Sequence, residues 1–98
     1  MVRVLFIQKH CDHCPRIMGI VARINARLPV NKRIIVVDIS ENPFHPLIKA
    51  LRDSFKKYGN YPPTPYLYLD GIAIIGITTE EFAEGLLEGY LQREFIVK

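Results

Sequence analysis

The sequence has few cysteines, no long apolar run and no concentrated charge, and each shortage excludes a class of protein. Two cysteines in 98 residues are too few to staple a small secreted scaffold, which typically uses four or more. No segment approaches the ~18 consecutive apolar residues of a transmembrane helix, so we expect no membrane association. The basic residues are scattered and the formal net charge is only +3, whereas nucleic-acid-binding proteins concentrate basic residues on one face. We therefore predict no nucleic-acid partner.

The remaining composition is that of a globular protein, with 49% hydrophobic and 23% charged residues. A chain of this length builds one hydrophobic core, so we predict a single domain over residues 1–98. The apolar amino terminus is short and runs directly into Gln8-Lys9-His10 without a small-residue cleavage site. That pattern does not fit a signal peptide. We expect a monomeric, cytoplasmic protein.

Hydrophobic patterning predicts the element order β-α-β-α-β-β-α. Short β-rich apolar runs indicate strands, and apolar residues at steps of three and four indicate amphipathic helices. The predicted strands cover Val2–Ile7, Arg33–Ile39, Tyr66–Leu69 and Ile72–Gly76, and the predicted helices begin near Pro15, at Asn42-Pro43 and at a Thr78/Glu81 capping box.

Two nearly continuous apolar strands joined by a helix favour a buried parallel βαβ unit. The later strands flank Asp70-Gly71, a dipeptide typical of a two-residue hairpin turn. Together they predict an α/β fold with a mixed four-stranded sheet between helices, in three α/β/α layers. The first strand leads to Cys11 and Cys14, at the sheet edge where chemistry gathers in such folds.

The spacing of Cys11 and Cys14 points to thiol–disulfide chemistry. A thiolate is the nucleophile in disulfide exchange, and a helix start carries unpaired N–H groups and partial positive charge. We expect Cys11 to lie at that start and to be more acidic than a free cysteine. Cys14, one turn inside the helix, is expected to be shielded and to resolve the mixed disulfide that Cys11 forms.

Three charged residues next to the pair are expected to tune its reactivity. A protonated His13 stabilises a Cys11 thiolate, whereas Asp12 opposes it by like-charge repulsion. Lys9 adds positive field at the rim. Because one exposed carboxylate is strongly screened, we expect the histidine and the helix terminus to outweigh it.

Three features in register resemble the thioredoxin/glutaredoxin family, and the resemblance covers nearly the whole chain. They are Cys11-Asp12-His13-Cys14 after the first strand, Thr64-Pro65 before the third, and Gly71 with Gly76–Glu81 around the fourth. The match is similar to glutaredoxins and to short archaeal thioredoxins. It implies a thioredoxin-like fold, a cis Thr64–Pro65 bond that faces the cysteines and presents Thr64 to substrate, and disulfide oxidoreductase activity. It also implies protein disulfides and an upstream reductase as partners, with no cofactor.

The sequence departs from both branches of that family. Its Asp12-His13 pair is neither the Gly-Pro of thioredoxins nor the Pro-Tyr of glutaredoxins, and it contains no tryptophan. A histidine before the second cysteine is similar to the oxidising members. The glutaredoxin Gly-Gly-x-Asp-Asp motif is degraded, so direct exchange with protein disulfides is the leading hypothesis. A glutathione-dependent glutaredoxin, with Lys9 on a glutathione carboxylate, is an alternative.

A metal or iron–sulfur module on the same fold is the other alternative. Zinc prefers four ligands, and His10 and His13 are adjacent to the two cysteines. Four ligands packed into His-Cys-x-His-Cys are cramped around one ion, and the chain has no second cysteine pair. We therefore predict no metal site.

Overall fold

The computed structural model describes residues 2–74 together with Gly85 and Gly89. The strands are β1 (Arg3–Ile7), β2 (Ile35–Asp38), β3 (Tyr66–Leu69) and β4 (Ile72–Ile74), and the helices are α1 (Cys14–Asn25), α2 (Pro46–Ala50) and α3 (Arg52–Phe55). Short 3₁₀ turns occupy Val30–Lys32 and Lys56–Tyr58. The predicted order is confirmed as far as β4, although the second predicted helix is divided into α2 and α3.

The four strands form one mixed sheet in the order β2-β1-β3-β4. β1 runs parallel to β2, with Val4 opposite Ile35, and antiparallel to β3, with Phe6 opposite Tyr66. β3 and β4 form an antiparallel hairpin. The predicted mixed four-stranded sheet is therefore confirmed.

Alternate residues of β1 contribute to two separate cores, because successive strand side chains point to opposite faces of a sheet. Leu5 and Ile7 join a cluster with the apolar face of α1, and Val4 and Phe6 join a cluster with α2 and α3. The helical members of the two clusters are Ile17, Ile20, Val21 and Ile24 in the first, and Ile48 and Phe55 in the second. Helices thus cover both faces of β1, which as the central parallel strand is buried along its whole length.

β2 differs from its prediction as a fully buried strand. It lies at the edge of the sheet, and Ile35 and Val36 are 53% and 39% exposed. Only Ile34, Val37 and Ile39 of the predicted run are buried in the cores. A continuous apolar run does not show whether another strand lies outside it, so the prediction of complete burial was wrong.

The start predicted for the second helix was also wrong. α2 begins at Pro46, not at Pro43, and the Nδ1 atom of His45 accepts a hydrogen bond of 3.1 Å from the N–H of Leu47. The N–H groups of Glu41 and Asn42 instead donate to the carbonyl of Asp38. Those turns continue the chain away from β2 and delay the helix by three residues.

The hairpin turn is confirmed, whereas the end of the chain is not described. Asp70 and Gly71 have φ angles of 49° and 98°, as a turn with two positive φ angles requires. The capping box at Thr78 and Glu81 and the tail after Arg93 lie outside the described residues; Gly85 and Gly89 are helical. Over the described part of the chain, no helix has the length and apolar character needed to span a membrane.

Candidate functional site

Cys11 and Cys14 form a disulfide bond whose Cα atoms are 5.3 Å apart. Cys14 is the first residue of α1 and is only 2% exposed, within the core cluster on that side of the sheet. Cys11 packs against the same cluster but is half-buried. The two thiols therefore differ in access to a partner, and Cys11 is the accessible one.

α1 begins at Cys14, next to the start predicted near Pro15, but three residues after Cys11. Cys11 precedes α1, His13 is its N-cap, and the N–H of Cys14 donates to the Cys11 carbonyl at 3.3 Å. The expectations that Cys11 lies at the helix start and that Cys14 lies one turn inside the helix were therefore wrong, because the turn that closes on the Cys11 carbonyl comes before the first helical residue, Cys14. The Cys11 sulfur is nevertheless bonded to the side chain of the first helical residue, at the end that carries partial positive charge. Pro15 lies in the first turn, as predicted.

The predicted tuning residues lie on the surface around the pair. Lys9, His10, Asp12 and His13 are all exposed, and so is Arg16 on the first turn of α1. His13 makes no side-chain hydrogen bond to the helix end. Basic groups thus outnumber the single carboxylate in this segment, in a solvent-exposed setting where salt screens each charge.

A hydrogen-bonded link between two loops supports the cysteine segment, and the sequence reasoning missed it. The N–H of Lys9 donates to Ser40 Oγ at 2.9 Å, and the N–H of Ser40 donates to Asp38 Oδ1 at 2.8 Å. The N–H of Ile39 donates to the Ile7 carbonyl at 2.9 Å. The sequence contained one signal for this link. Asp38-Ile39-Ser40 lies at the carboxyl end of a strand parallel to β1, and the carboxyl ends of parallel strands meet at one edge of the sheet.

Thr64 and Pro65 lie at the same edge of the sheet as the cysteine segment. β3 begins at Tyr66 opposite Phe6, so continuing the register by one residue sets Pro65 across from Ile7, where β1 leads to the cysteines. The predicted cis Thr64–Pro65 bond is confirmed. Pro65 is buried, and Thr64 is half-buried. Within residues 2–74, the buried Oγ1 of Thr64 has no hydrogen-bond partner.

The residue after Pro65 anchors this segment in the core. Tyr66 is fully buried, and its ring lies 6.2 Å from that of Phe6 and 5.9 Å from that of Phe55. Its hydroxyl donates to the Ser54 carbonyl at 3.0 Å. Burial, and to a lesser degree two neighbouring tyrosines, raises the pKa of the Tyr66 phenol above its ordinary value of 10.0. These contacts fix the start of β3 and hence the position of Pro65.

The described residues offer no assembled metal-ligand set. In that part of the chain, no group of three or more His, Cys, Asp or Glu side chains is placed to hold a metal ion. His10 and His13 are near the cysteines in sequence, but the structure does not bring them together with the two sulfurs as ligands. What it does bring together is an accessible and a buried cysteine, close enough to form or break a disulfide.

Comparison with known proteins adds no relative to this description. The chain matches no protein-family model, and the curated proteins contain no significant match.

Proposed function

We propose that this chain is a thiol–disulfide oxidoreductase with a thioredoxin-like fold, which exchanges the Cys11–Cys14 dithiol for disulfides in partner proteins. The observation that carries the proposal is the pairing of a half-buried Cys11 with a buried Cys14 at the first residue of α1. The mixed sheet with helices on both faces supports it, because the pair lies where β1 meets α1 at the carboxyl edge.

In the reducing direction, the Cys11 thiolate attacks one sulfur of the partner's disulfide. The partner's S–S bond breaks, its second sulfur leaves as a thiolate that takes up a proton, and a mixed disulfide forms on Cys11. Cys14 then loses its proton and attacks the Cys11 sulfur, which releases the partner's other thiolate. Two electrons pass to the partner, and the Cys11–Cys14 disulfide that remains is returned to the dithiol by an upstream reductase.

Thr64 and Pro65 are proposed to position the substrate rather than to react. The register places this segment beside the end of β1, and the Thr64 backbone precedes the first residue of β3. An extended substrate segment is proposed to pair with the Thr64 backbone through main-chain hydrogen bonds. Lys9, Asp12 and His13 surround the approach and are proposed to set the stability of the Cys11 thiolate.

The proposal is tested by turnover of a protein disulfide. Reduction of insulin by dithiothreitol, followed by turbidity, should be accelerated by the wild-type protein and by the control Met18→Ser, an exposed substitution on α1. Cys11→Ser should abolish the acceleration because the attacking sulfur is gone. A wild-type protein that leaves the rate at the dithiothreitol background would contradict the proposal, and activity seen only after glutathione is added would favour the glutaredoxin alternative.

A further inference from the structure

A groove of about 390 Å³ lies beside α2, apart from the cysteine pair. The lining comes from two stretches of the chain: the first wall consists of Phe44–His45 with Ile48, Lys49 and Arg52, and the second wall contains Tyr61. The volume falls in the range of roughly 300–1,000 Å³ that is usual for ligand sites. The groove is large enough to accept a few side chains of a bound peptide.

Both walls of the groove connect to the edge of the sheet that carries the cysteines. The first wall follows the loop that leaves the carboxyl end of β2, the loop whose Ser40 accepts from Lys9. Tyr61 is four residues before Pro65, so their Cα atoms are at most about 14 Å apart. A short extended peptide that passes Thr64 can therefore reach the groove.

The groove carries positive charge that is not neutralised by its own lining. Lys49 and Arg52 are exposed, and neither side chain has a hydrogen bond or ion pair with any residue that the structure describes. Among residues 2–74, no carboxylate lines the groove. The carboxylate of Asp53 is on the same helix as Arg52 but pairs with Lys56 at 3.4 Å. The groove is thus complementary to an anion.

Aromatic side chains flank these cations. Phe44 is 91% exposed and Tyr61 is 39% exposed, although a large apolar ring is favoured inside a protein or an interface. Ile48 adds a buried apolar side chain to the same lining. Aromatic and arginine side chains around a concave surface are the composition of binding hot spots at protein interfaces.

We propose that this groove binds an acidic segment of the partner protein, with a carboxylate on Lys49 and Arg52 and a neighbouring apolar side chain between Phe44 and Tyr61. This inference rests on the proposed function and names its substrate class: protein disulfides flanked by an acidic, apolar segment. The occupant is a protein segment because Tyr61 of the groove lies within about 14 Å of Pro65, so that a peptide bound at Thr64 can reach it, and because the lining combines cations with exposed aromatic rings.

Binding is tested with fluorescent decapeptides that contain no cysteine, so that no thiol chemistry takes part. One peptide carries Asp and Glu beside Leu, and the matched peptide carries Asn and Gln at the same positions. In fluorescence anisotropy, the acidic peptide should bind at least tenfold more tightly, and added salt should weaken it. Lys49→Gln/Arg52→Gln should remove that difference.

The control is Arg23→Gln/Lys57→Gln, which removes the same net charge from exposed basic residues outside the groove and leaves the Asp53–Lys56 pair intact. This control should leave the affinity for the acidic peptide within twofold of wild type. Phe44→Ala should weaken the binding of both peptides. Equal binding of the two peptides, or unchanged binding by the groove double variant, would overturn the inference. So would displacement of the acidic peptide by glutathione, because the groove would then belong to a small thiol.

Activity measurements on the same proteins separate this inference from the proposed function. With disulfide-linked forms of the two peptides as substrates, the groove double variant should lose about tenfold in kcat/KM for the acidic one, through KM, and nothing for the neutral one. A wild-type protein that binds the acidic peptide but reduces neither substrate would refute the oxidoreductase and leave the groove standing. A wild-type protein that reduces both substrates with equal kcat/KM would support the oxidoreductase and refute the role of the groove.

Discussion

The ion pair between Arg3 and Asp70 gives a sharp prediction about what holds the sheet together. Arg3 is 3% exposed, its Nε donates to Asp70 Oδ2 at 3.0 Å, and its Nη1 donates to the Lys32 carbonyl at 2.8 Å. The Asp70 N–H also donates to the Val2 carbonyl. The pair therefore ties the first strand to the turn between β3 and β4.

Asp70→Asn should remove the charge while keeping the turn, because asparagine tolerates the φ of 49° at this position. Loss of one partner from a buried ion pair costs about 3–5 kcal/mol. The Asp70 side chain is 23% exposed, so water compensates in part and we expect about 2–3 kcal/mol. For a domain of this size, that corresponds to a Tm lower by roughly 10–20 °C.

Urea unfolding under oxidising conditions, with the disulfide intact in every variant, measures this loss. The control is Asp53→Asn, which breaks the exposed pair with Lys56 and should cost less than about 0.5 kcal/mol. The double variant Arg3→Met/Asp70→Asn should be more stable than Asp70→Asn alone, because it leaves no buried charge unpaired. Equal stability of Asp70→Asn and Asp53→Asn, or a double variant less stable than Asp70→Asn, would refute the reasoning.

Three further predictions concern single side chains. Burial raises the pKa of Tyr66, so the folded protein keeps the phenol neutral at a pH where the unfolded chain has already ionised, and the free energy of unfolding should fall as pH rises above about 10. Tyr66→Phe should lower the free energy of unfolding by about 1 kcal/mol at pH 7. In urea unfolding, this variant should lose less stability than wild type between neutral and alkaline pH. The redox potential of the Cys11–Cys14 disulfide should lie above about −270 mV. In glutathione redox titrations, His13→Ala should lower this potential and Asp12→Ala should raise it. An unchanged potential in both variants would show that the two side chains do not set it. The Asn25 side chain bonds both the N–H and the carbonyl of Ile34, so Asn25→Ala should cost about 2 kcal/mol in urea unfolding; a loss below about 0.5 kcal/mol would contradict this role.

The features that the sequence predicted correctly are those with a strong local signal. β1 is apolar from Val4 to Ile7, and this central strand buries every one of its residues, Arg3 included. Asp70-Gly71 permits the two positive φ angles that its turn needs. Cys11 and Cys14 have a spacing that brings two sulfurs together across the turn that leads into α1.

The features that the sequence did not predict depend on competition between alternative local structures, or on which elements the fold brings side by side. Pro43 and Pro46 are both compatible with the first turn of a helix, and the turns onto the Asp38 carbonyl decide in favour of Pro46. The exposure of Ile35 follows from the position of β2 at the sheet edge. The link from Lys9 to Ser40 joins residues 31 positions apart in sequence, which no local pattern contains.

The most direct test of the central proposal is to trap the mixed disulfide that it requires. Cys14→Ser and Cys11→Ser, each reduced and then mixed with oxidised insulin, are compared by intact mass at timed intervals after acid quenching. Cys14→Ser should form the covalent adduct through the half-buried Cys11, at least tenfold faster than Cys11→Ser forms one through the buried Cys14. Faster adduct formation by Cys11→Ser would reverse the roles of the two thiols, and no adduct with Cys14→Ser would contradict disulfide exchange as the function of this site.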